Sequence, residues 1–153
     1  MMQLRRAVLG DVAAIRQLVR EAYARWVPAI GREPRPMGAD YVAAVRDHRI
    51  DLLYLDGVLA GLVETVDEGD GLLVENLAVS PAFQRRGLGS RLMAHAEAVA
   101  LSLGHERIRL FTNKRFAENV ILYRRLGYDV DGEEDLGGGT IRVDMSKTLR
   151  KSP

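Results

Sequence analysis

The stretch Gln84-Arg85-Arg86-Gly87-Leu88-Gly89 is the part of the chain best suited to bind an anion. Its two glycines have no Cβ and allow a tight backbone turn. The apolar residues that follow recur every three to four positions, which predicts a helix from about Gly89. The unpaired N–H groups and the dipole at a helix N-terminus favour phosphate oxygens. The stretch therefore predicts a phosphate site, to which Arg85 and Arg86 add positive charge.

Two glutamates in predicted strands are candidate general bases. Glu75 lies in the otherwise apolar run of residues 72–77. Burial there would raise the pKa of its carboxyl group toward the range of a useful base. Glu64, on the preceding strand, is the competing candidate. Either side chain also fits an ion pair with an arginine or a position facing solvent, so the residues alone leave the base open.

Alternating strands and helices must position these groups. Strands are predicted at residues 3–8, 50–55, 58–66, 72–79, 106–112 and 140–145, and a further strand is predicted to begin at 128–131. Helices are predicted at residues 12–26, where Pro28 is expected to end the helix, and at 40–48, 89–103 and 116–126. The three strands between residues 50 and 79 should form an antiparallel meander. The next strand follows a helix and should therefore lie parallel to the strand at 72–79.

Length and composition favour one ordinary globular domain over residues 1–153, with a polar tail from about Lys147. The net charge of +1 argues against a nucleic-acid-binding protein. No cysteine is present, which excludes disulfides and thiolate catalysis, and the three histidines do not show a metal-ligand spacing. No apolar run is long enough to cross a membrane, and the first residues do not resemble a signal peptide. We expect a cytoplasmic protein without a metal or a membrane partner.

Two motifs and the order of elements resemble the GCN5-related N-acetyltransferase (GNAT) superfamily. The first motif is the glycine turn, which fits the pattern Gln/Arg-x-x-Gly-x-Gly/Ala of that superfamily. The second is the run from Asn119 to Tyr128, in which Tyr123 sits on a helix before the pair Gly127-Tyr128. The resemblance implies an α/β (α+β) fold with one mixed, mostly antiparallel sheet of about six to seven strands. Its central parallel pair is splayed, and about four helices flank the sheet.

The resemblance also implies acetyl-CoA as the acyl donor. The strand before the turn would pair with the pantetheine arm, because amides of the arm can extend an exposed strand edge. The turn would bind the pyrophosphate. The residues assigned to this site are Leu77, Ala78, Val79, Gln84, Arg85, Arg86, Gly87, Leu88, Gly89, Ser90 and Asn119. Asn119 departs from the common family pattern, which has an asparagine seven positions before the tyrosine, where this chain has Phe116.

Tyr123 is the candidate general acid, since the corresponding tyrosine of the superfamily lies near the thioester sulfur and protonates the leaving thiolate. A phenol of pKa about 10 and a thiol of pKa about 8.5 can exchange a proton productively. A helix tyrosine packed against the sheet is the structural alternative. Glu75 is the candidate base beside it, with Glu64 and, as in many members of the superfamily, a chain of water molecules as alternatives.

The segment between residues 26 and 41 is expected to line the acceptor pocket, with Trp26, Met37 and Tyr41 as candidate contacts. The predicted activity is direct transfer of an acetyl group from acetyl-CoA to a primary amine of a small molecule. A peptide or protein amine and a non-catalytic acyl-CoA sensor are the alternatives. A nucleotide-binding protein is less compatible, because the turn lacks the Gly-Lys-Ser/Thr ending of a P-loop. Dimers are common in the superfamily, which makes a homodimer through the last strands a further expectation.

Overall fold

A computed structural model describes residues 1–150 of the chain. The strands are β1 (Met2–Arg6), β2 (Arg49–Leu55), β3 (Val58–Asp67), β4 (Leu72–Val79), β5 (Arg107–Asn113), β6 (Asp129–Gly137) and β7 (Thr140–Thr148). The α-helices are α1 (Val12–Tyr23), the single turn α2 (Val27–Ile30), α3 (Tyr41–Asp47), α4 (Leu88–Ser102) and α5 (Ala117–Arg125). Within the described residues, no helix is long and apolar enough to cross a membrane.

All seven strands form one sheet in the order β1-β2-β3-β4-β5-β7-β6. Every neighbouring pair is antiparallel except β4 and β5, which are parallel. The parallel ladder covers only three residue pairs, from Leu72–Ile108 to Val74–Leu110. Beyond Val74 the two strands separate, while β4 stays paired with β3 as far as Val79. The predicted splayed parallel pair is confirmed, and the edge of β4 that faces β5 is open from residue 75 onward.

Helices cover both faces of the sheet. Helices α1 and α3 pack on one face through a buried cluster that includes Ile15, Val19 and Tyr41. Helix α4 packs on the other face through Leu92, Met93 and Ala96, and Tyr123 of α5 belongs to the same cluster. The apolar spacing of α1 and α4 therefore fixes which side of each helix faces the sheet. The α4 N-terminus and α5 are consequently held at the gap between β4 and β5.

Two boundary predictions are wrong. Pro28 does not end the first helical region but lies in the first turn of α2, where a missing N–H costs no helical hydrogen bond. The helical region ends instead at Gly31, which adopts a left-handed conformation. The polar tail begins later than Lys147, because Lys147 and Thr148 belong to β7 and Leu149 is buried. Residues 151–153, the end of the predicted tail, lie outside the described residues.

Candidate active site

The glycine turn joins β4 to α4 and points unpaired N–H groups toward the gap. Arg85 and Gly87 both adopt positive φ angles, of 64° and 75°. The first helical hydrogen bond runs from the Arg91 N–H to the Gly87 carbonyl at 3.1 Å. The N–H groups of the three residues between Gly87 and Arg91 precede this bond and have no partner within the helix. The positive end of the α4 dipole lies at the same place, so the turn is suited to hold phosphate oxygens.

A cavity of about 310 Å³ runs from this turn along the open edge of β4. Ten of the eleven predicted donor-site residues line it: Leu77, Ala78, Val79, Gln84, Arg85, Gly87, Leu88, Gly89, Ser90 and Asn119. Arg86 is the exception, and its guanidinium lies over the Phe83 ring, 5.4 Å from the ring centre. We call this space the donor cavity. Its strand edge, helix N-terminus and Arg85 fit the amides and the pyrophosphate of an acyl-CoA.

A second and larger cavity, of about 770 Å³, lies on the other side of the gap. The segment between α2 and α3 forms one wall, and β5 and the start of β7 form the opposite wall. We call this space the acceptor cavity. Four residues line both cavities: Tyr23, Leu77, Asn119 and Tyr123. The two spaces therefore meet where β4 and β5 separate, which is the arrangement that a transfer between two bound molecules requires.

Tyr123 lies at this junction and is only 6% exposed. Its ring packs edge-on against Tyr128, with ring centres 6.2 Å apart. Burial raises the pKa of the Tyr123 phenol well above its ordinary value. The phenol consequently keeps its proton at neutral pH, as a general acid must before it acts.

A chain of hydrogen bonds joins residues that line the acceptor cavity and its junction with the donor cavity. The Tyr23 hydroxyl donates to Asn76 Oδ1 at 2.8 Å, and the Leu77 carbonyl oxygen lies 3.1 Å from the same hydroxyl. Asn76 Nδ2 donates to the Tyr41 hydroxyl at 3.1 Å, and that hydroxyl donates to the Pro36 carbonyl at 2.6 Å. Burial raises the pKa of both phenols, so both remain proton donors. Asn76 thus fixes two tyrosines through one buried amide.

The two candidate bases differ in burial. Glu75, which we expected to be buried, is exposed because it is the extra residue of a β-bulge. Thr65 pairs with Val74 and Glu64 pairs with Asn76, so Glu75 has no partner on β3. The prediction that Glu75 is buried is therefore wrong. Glu75 nevertheless lines the acceptor cavity.

Glu64 has the environment that was expected for Glu75. It is 4% exposed and lines the acceptor cavity. Its Oε2 lies 2.6 Å from His48 Nδ1. Burial raises the pKa of the Glu64 carboxyl group, and the contact with His48 only partly opposes this shift. The pair combines a carboxylate with an imidazole that lines the same cavity and can relay a proton.

The three residues predicted to bind the acceptor lie in different places. Tyr41 lines the acceptor cavity. Trp26 lines the donor cavity instead and stacks on Phe116, with ring centres 4.5 Å apart. Met37 lines neither cavity, and its carbonyl oxygen accepts a long hydrogen bond from Arg20. Asn113, at the end of β5, also lines the acceptor cavity, and its side-chain oxygen accepts a hydrogen bond from the Arg115 N–H in a turn.

Sequence reasoning missed Tyr23, Asn76 and His48. Asn76 had a signal, because a polar residue inside the apolar run of β4 must find partners when it is buried. Tyr23 and His48 had none, since their roles depend on contacts with residues 16 or more positions away. Residues 1–150 contain no group of three acidic or histidine side chains that could hold a metal ion.

Known proteins resemble this chain in sequence. The sequence profile of the Acetyltransferase (GNAT) family matches residues 13–128. N-alpha-acetyltransferase 80 of Mus musculus is 32% identical over 93 residues, which are 61% of this chain and 28% of that protein. S-(2-succino)cysteine N-acetyltransferase of Bacillus subtilis (strain 168) is 36% identical over 75 residues, 48% of this chain and 46% of that protein. The chain therefore matches less than half the length of each relative.

A solved structure has the same fold. The PaiA N-acetyltransferase from Thermoplasma acidophilum, in complex with coenzyme A, superimposes with a TM-score of 0.83. The match covers 97% of this chain and 99% of that protein at 17% sequence identity. At that identity the similarity concerns the fold alone.

Proposed function

This chain belongs to the acetyltransferase (GNAT) family, and we propose that it transfers an acetyl group from acetyl-CoA to a primary amine of a small molecule. One observation supports this most directly. A cavity fitted to an acyl-CoA and a separate open cavity meet at Tyr123. The amine and the thioester can therefore be bound at the same time and brought together without a covalent enzyme intermediate.

The donor-site residues hold and orient the acyl-CoA in this proposal. The N–H groups at the start of α4 and Arg85 bind the pyrophosphate, and the free edge of β4 pairs with the pantetheine arm. Acetyl-CoA supplies an acetyl group activated as a thioester. N–H groups of β4 near Leu77 or Ala78 polarise the carbonyl oxygen.

Two groups move protons. Glu64, with His48, accepts the proton that the acceptor ammonium must lose before its nitrogen can attack. Glu75 is the alternative base, since it lines the same cavity. Tyr123 donates its proton to the leaving sulfur and is reprotonated from solvent. The proton lost by the amine and the proton gained by the thiolate thus pass through different residues, on opposite sides of the junction.

A compact acceptor is favoured by a contact that joins the two walls of the acceptor cavity, because the Arg32 guanidinium donates to Thr140 Oγ1 and both residues line it. Outside the cavity lining, Arg115 Nη1 donates to the Ala29 carbonyl at 3.0 Å and connects α2 to the turn before α5. Together these contacts leave less room for a polypeptide that extends on both sides of its amine. The Bacillus subtilis relative is named for a small amino-acid acceptor. The mouse relative is named as an N-alpha-acetyltransferase and supports a peptide amine as the second candidate.

The test is release of free thiol from acetyl-CoA with a panel of amines that includes amino acids, polyamines and short peptides. We expect turnover with at least one small amine and a dependence on both substrates typical of a ternary complex. Turnover of peptides alone would favour the second candidate. Tight acetyl-CoA binding without turnover of any amine would identify a sensor and contradict the proposal.

A further inference from the structure

The acceptor cavity carries opposite charges at its two ends. Glu64 and Glu75 line it next to the junction with the donor cavity, and the negative charge of Glu75 contributes to the raised pKa of Glu64. Arg32 and Thr140 line it at the β6–β7 turn. An acceptor amine at the junction is attracted as an ammonium ion by the two carboxylates. The end of the cavity at the β6–β7 turn carries Arg32 and is therefore suited to a different, anionic group of the acceptor.

Two arginines from different segments converge on that turn. Arg32 comes from the segment between α2 and α3, and its Nη1 lies 4.0 Å from the position that a Cβ would take at Gly138. Arg115 comes from the turn before α5, and its Nη2 lies 3.4 Å from the corresponding position at Gly139. The absence of side chains on the turn lets both guanidinium groups approach the backbone closely. Both side chains are exposed and therefore accessible to a ligand.

Neither arginine is neutralised. Arg32 donates to the hydroxyl of Thr140 and Arg115 to the carbonyl of Ala29, and within residues 1–150 neither guanidinium forms an ion pair with a carboxylate. Two other arginines that line the cavities do have such partners, Arg25 with Glu118 and Arg142 with Glu134. Within residues 1–150, Arg35 of the acceptor cavity and Arg85 of the donor cavity form no ion pair either, but neither lies beside the Gly137–Gly139 turn. Arg32 and Arg115 are thus two like charges held near each other by neutral groups.

Each neutral contact uses only one nitrogen of its guanidinium. A guanidinium has five N–H donors in a planar fork, and this fork matches the two oxygens of a carboxylate. The remaining donors of Arg32 and Arg115 are available beside the turn. An anion bound there would remove the repulsion between the two groups and form charge-assisted hydrogen bonds with both.

We propose that the acceptor is an amine that also carries a carboxylate, and that Arg32 and Arg115 bind this carboxylate at the Gly137–Gly139 turn. The amine then extends along the cavity to Glu64 and Tyr123. The inference rests on the proposed function, because it concerns the acceptor of that reaction. The chemical class is an amino acid or a similar small amino carboxylate whose amine and acidic group lie at opposite ends.

The test compares amines that differ only in the acidic group. A series of ω-amino acids of increasing chain length is assayed beside the amino alcohols of the same length. At the preferred length we expect the amino acid to exceed the alcohol in kcat/KM by about 10- to 100-fold, the effect of a charge-assisted hydrogen bond. In Arg32→Gln and Arg115→Gln this ratio should fall toward one through a higher KM for the amino acid, with the alcohol unaffected. Arg115 and Arg124 are both exposed and line neither cavity, but only Arg115 lies against the turn, beside Gly139. Arg124→Gln is therefore the matched control for the loss of a positive charge away from the turn.

A binding measurement that needs no turnover accompanies the kinetics. Valerate, which has one carboxylate and an apolar chain, is titrated calorimetrically into the wild type and the three variants in the presence of coenzyme A. Binding by the wild type and Arg124→Gln that is lost in the other two variants supports the inference. Equal rates for acids and alcohols, no valerate binding by the wild type, or valerate binding that Arg32→Gln and Arg115→Gln leave unchanged, would overturn it while the proposed transfer stands. Absence of turnover with every amine would instead count against the proposed function, and the titration alone then decides whether the anion site exists.

Discussion

Tyr123 lines both cavities at their junction, and the proposed role of its hydroxyl group differs from simple packing. A tyrosine that only packs against Tyr128 needs its ring and not its hydroxyl group. A general acid needs the hydroxyl in its protonated form, and the buried phenol of Tyr123 is protonated at neutral pH. The two roles therefore make different predictions for the removal of one oxygen atom.

We expect Tyr123→Phe to lower kcat by about 10²- to 10⁴-fold, the usual contribution of general acid catalysis, with little change in acetyl-CoA affinity or melting temperature. Steady-state kinetics and acetyl-CoA titration measure the two quantities. Tyr54→Phe is the control, because Tyr54 lines neither cavity. A variant that keeps the wild-type kcat would remove Tyr123 from the proton transfer.

The choice of base is also decided at single residues. A base must be deprotonated, so kcat/KM should fall as the pH drops through the pKa of the responsible carboxyl group. Burial raises the pKa of Glu64 above 4.5, which brings this fall closer to neutral pH. We expect Glu64→Gln to lower kcat/KM and remove that acidic limb of the pH profile, and Glu75→Gln to retain it. The opposite result would assign the base to Glu75, and an unchanged profile in both variants would favour a chain of water molecules.

The same shift predicts a pH-dependent stability. A carboxyl group whose pKa is higher in the folded state favours folding below its unfolded pKa and loses that contribution as the pH rises through the folded value. Each unit of difference corresponds to about 1.4 kcal/mol. The free energy of unfolding of the wild type relative to Glu64→Gln should therefore decrease as the pH rises from below the ordinary pKa of a glutamate through the higher pKa of the folded state. Urea unfolding at several pH values measures this difference, and a difference that rises with pH would show that the folded pKa is lowered.

At the level of elements, the turn between β4 and α4 depends on one backbone conformation. Gly87 has a φ of 75°, and a Cβ there would contact nothing within 4 Å. An added methyl group thus acts only through the cost of the left-handed conformation, about 1–2 kcal/mol. We expect Gly87→Ala to raise the KM for acetyl-CoA by about 10-fold, because relaxation of the turn redirects the N–H groups that face the donor cavity.

Gly104 offers a control on the same helix. It follows the C-terminal end of α4 with a φ of 82° and equally free space around a Cβ. Gly104→Ala should therefore lower the melting temperature by a similar amount and leave the KM for acetyl-CoA unchanged. If both substitutions change KM equally, the effect comes from general destabilisation, and the assignment of the turn to the pyrophosphate loses its support.

The elements themselves could be predicted from sequence, whereas the direction of some side chains could not. The predicted bounds of β4 agree with those observed, because its apolar residues and the Ser80-Pro81 pair that follows are local signals. The side-chain alternation assumed for a regular strand fails at Glu75, since the bulge depends on how β3 pairs with β4. The turn between β4 and α4 could be predicted for the opposite reason, because its conformation depends on local residues, with Gly87 at a positive φ.

At the scale of the whole molecule, the sheet consists of two halves with a weak connection. Strands β1 to β4 form one half and β5 to β7 the other, and three residue pairs join them. The rest of the boundary is the gap that contains the donor cavity. A ligand arm that pairs with β4 and contacts α5 would tie the halves together, whereas a ligand that fills only the glycine turn would not.

This difference predicts two patterns of amide hydrogen exchange. Saturating acetyl-CoA should slow amide exchange in the turn at 84–90, at residues 77–79 of β4 and in α5. The reason is that a ligand that binds only the folded state suppresses local opening where it makes contacts. Adenosine 3′-phosphate 5′-diphosphate keeps the pyrophosphate but lacks the pantetheine arm, and it should protect the turn alone. If the two ligands give the same protection, the arm does not pair with β4. If neither protects the turn, the phosphates bind elsewhere, because backbone N–H groups that hold a pyrophosphate are shielded from solvent while it is bound.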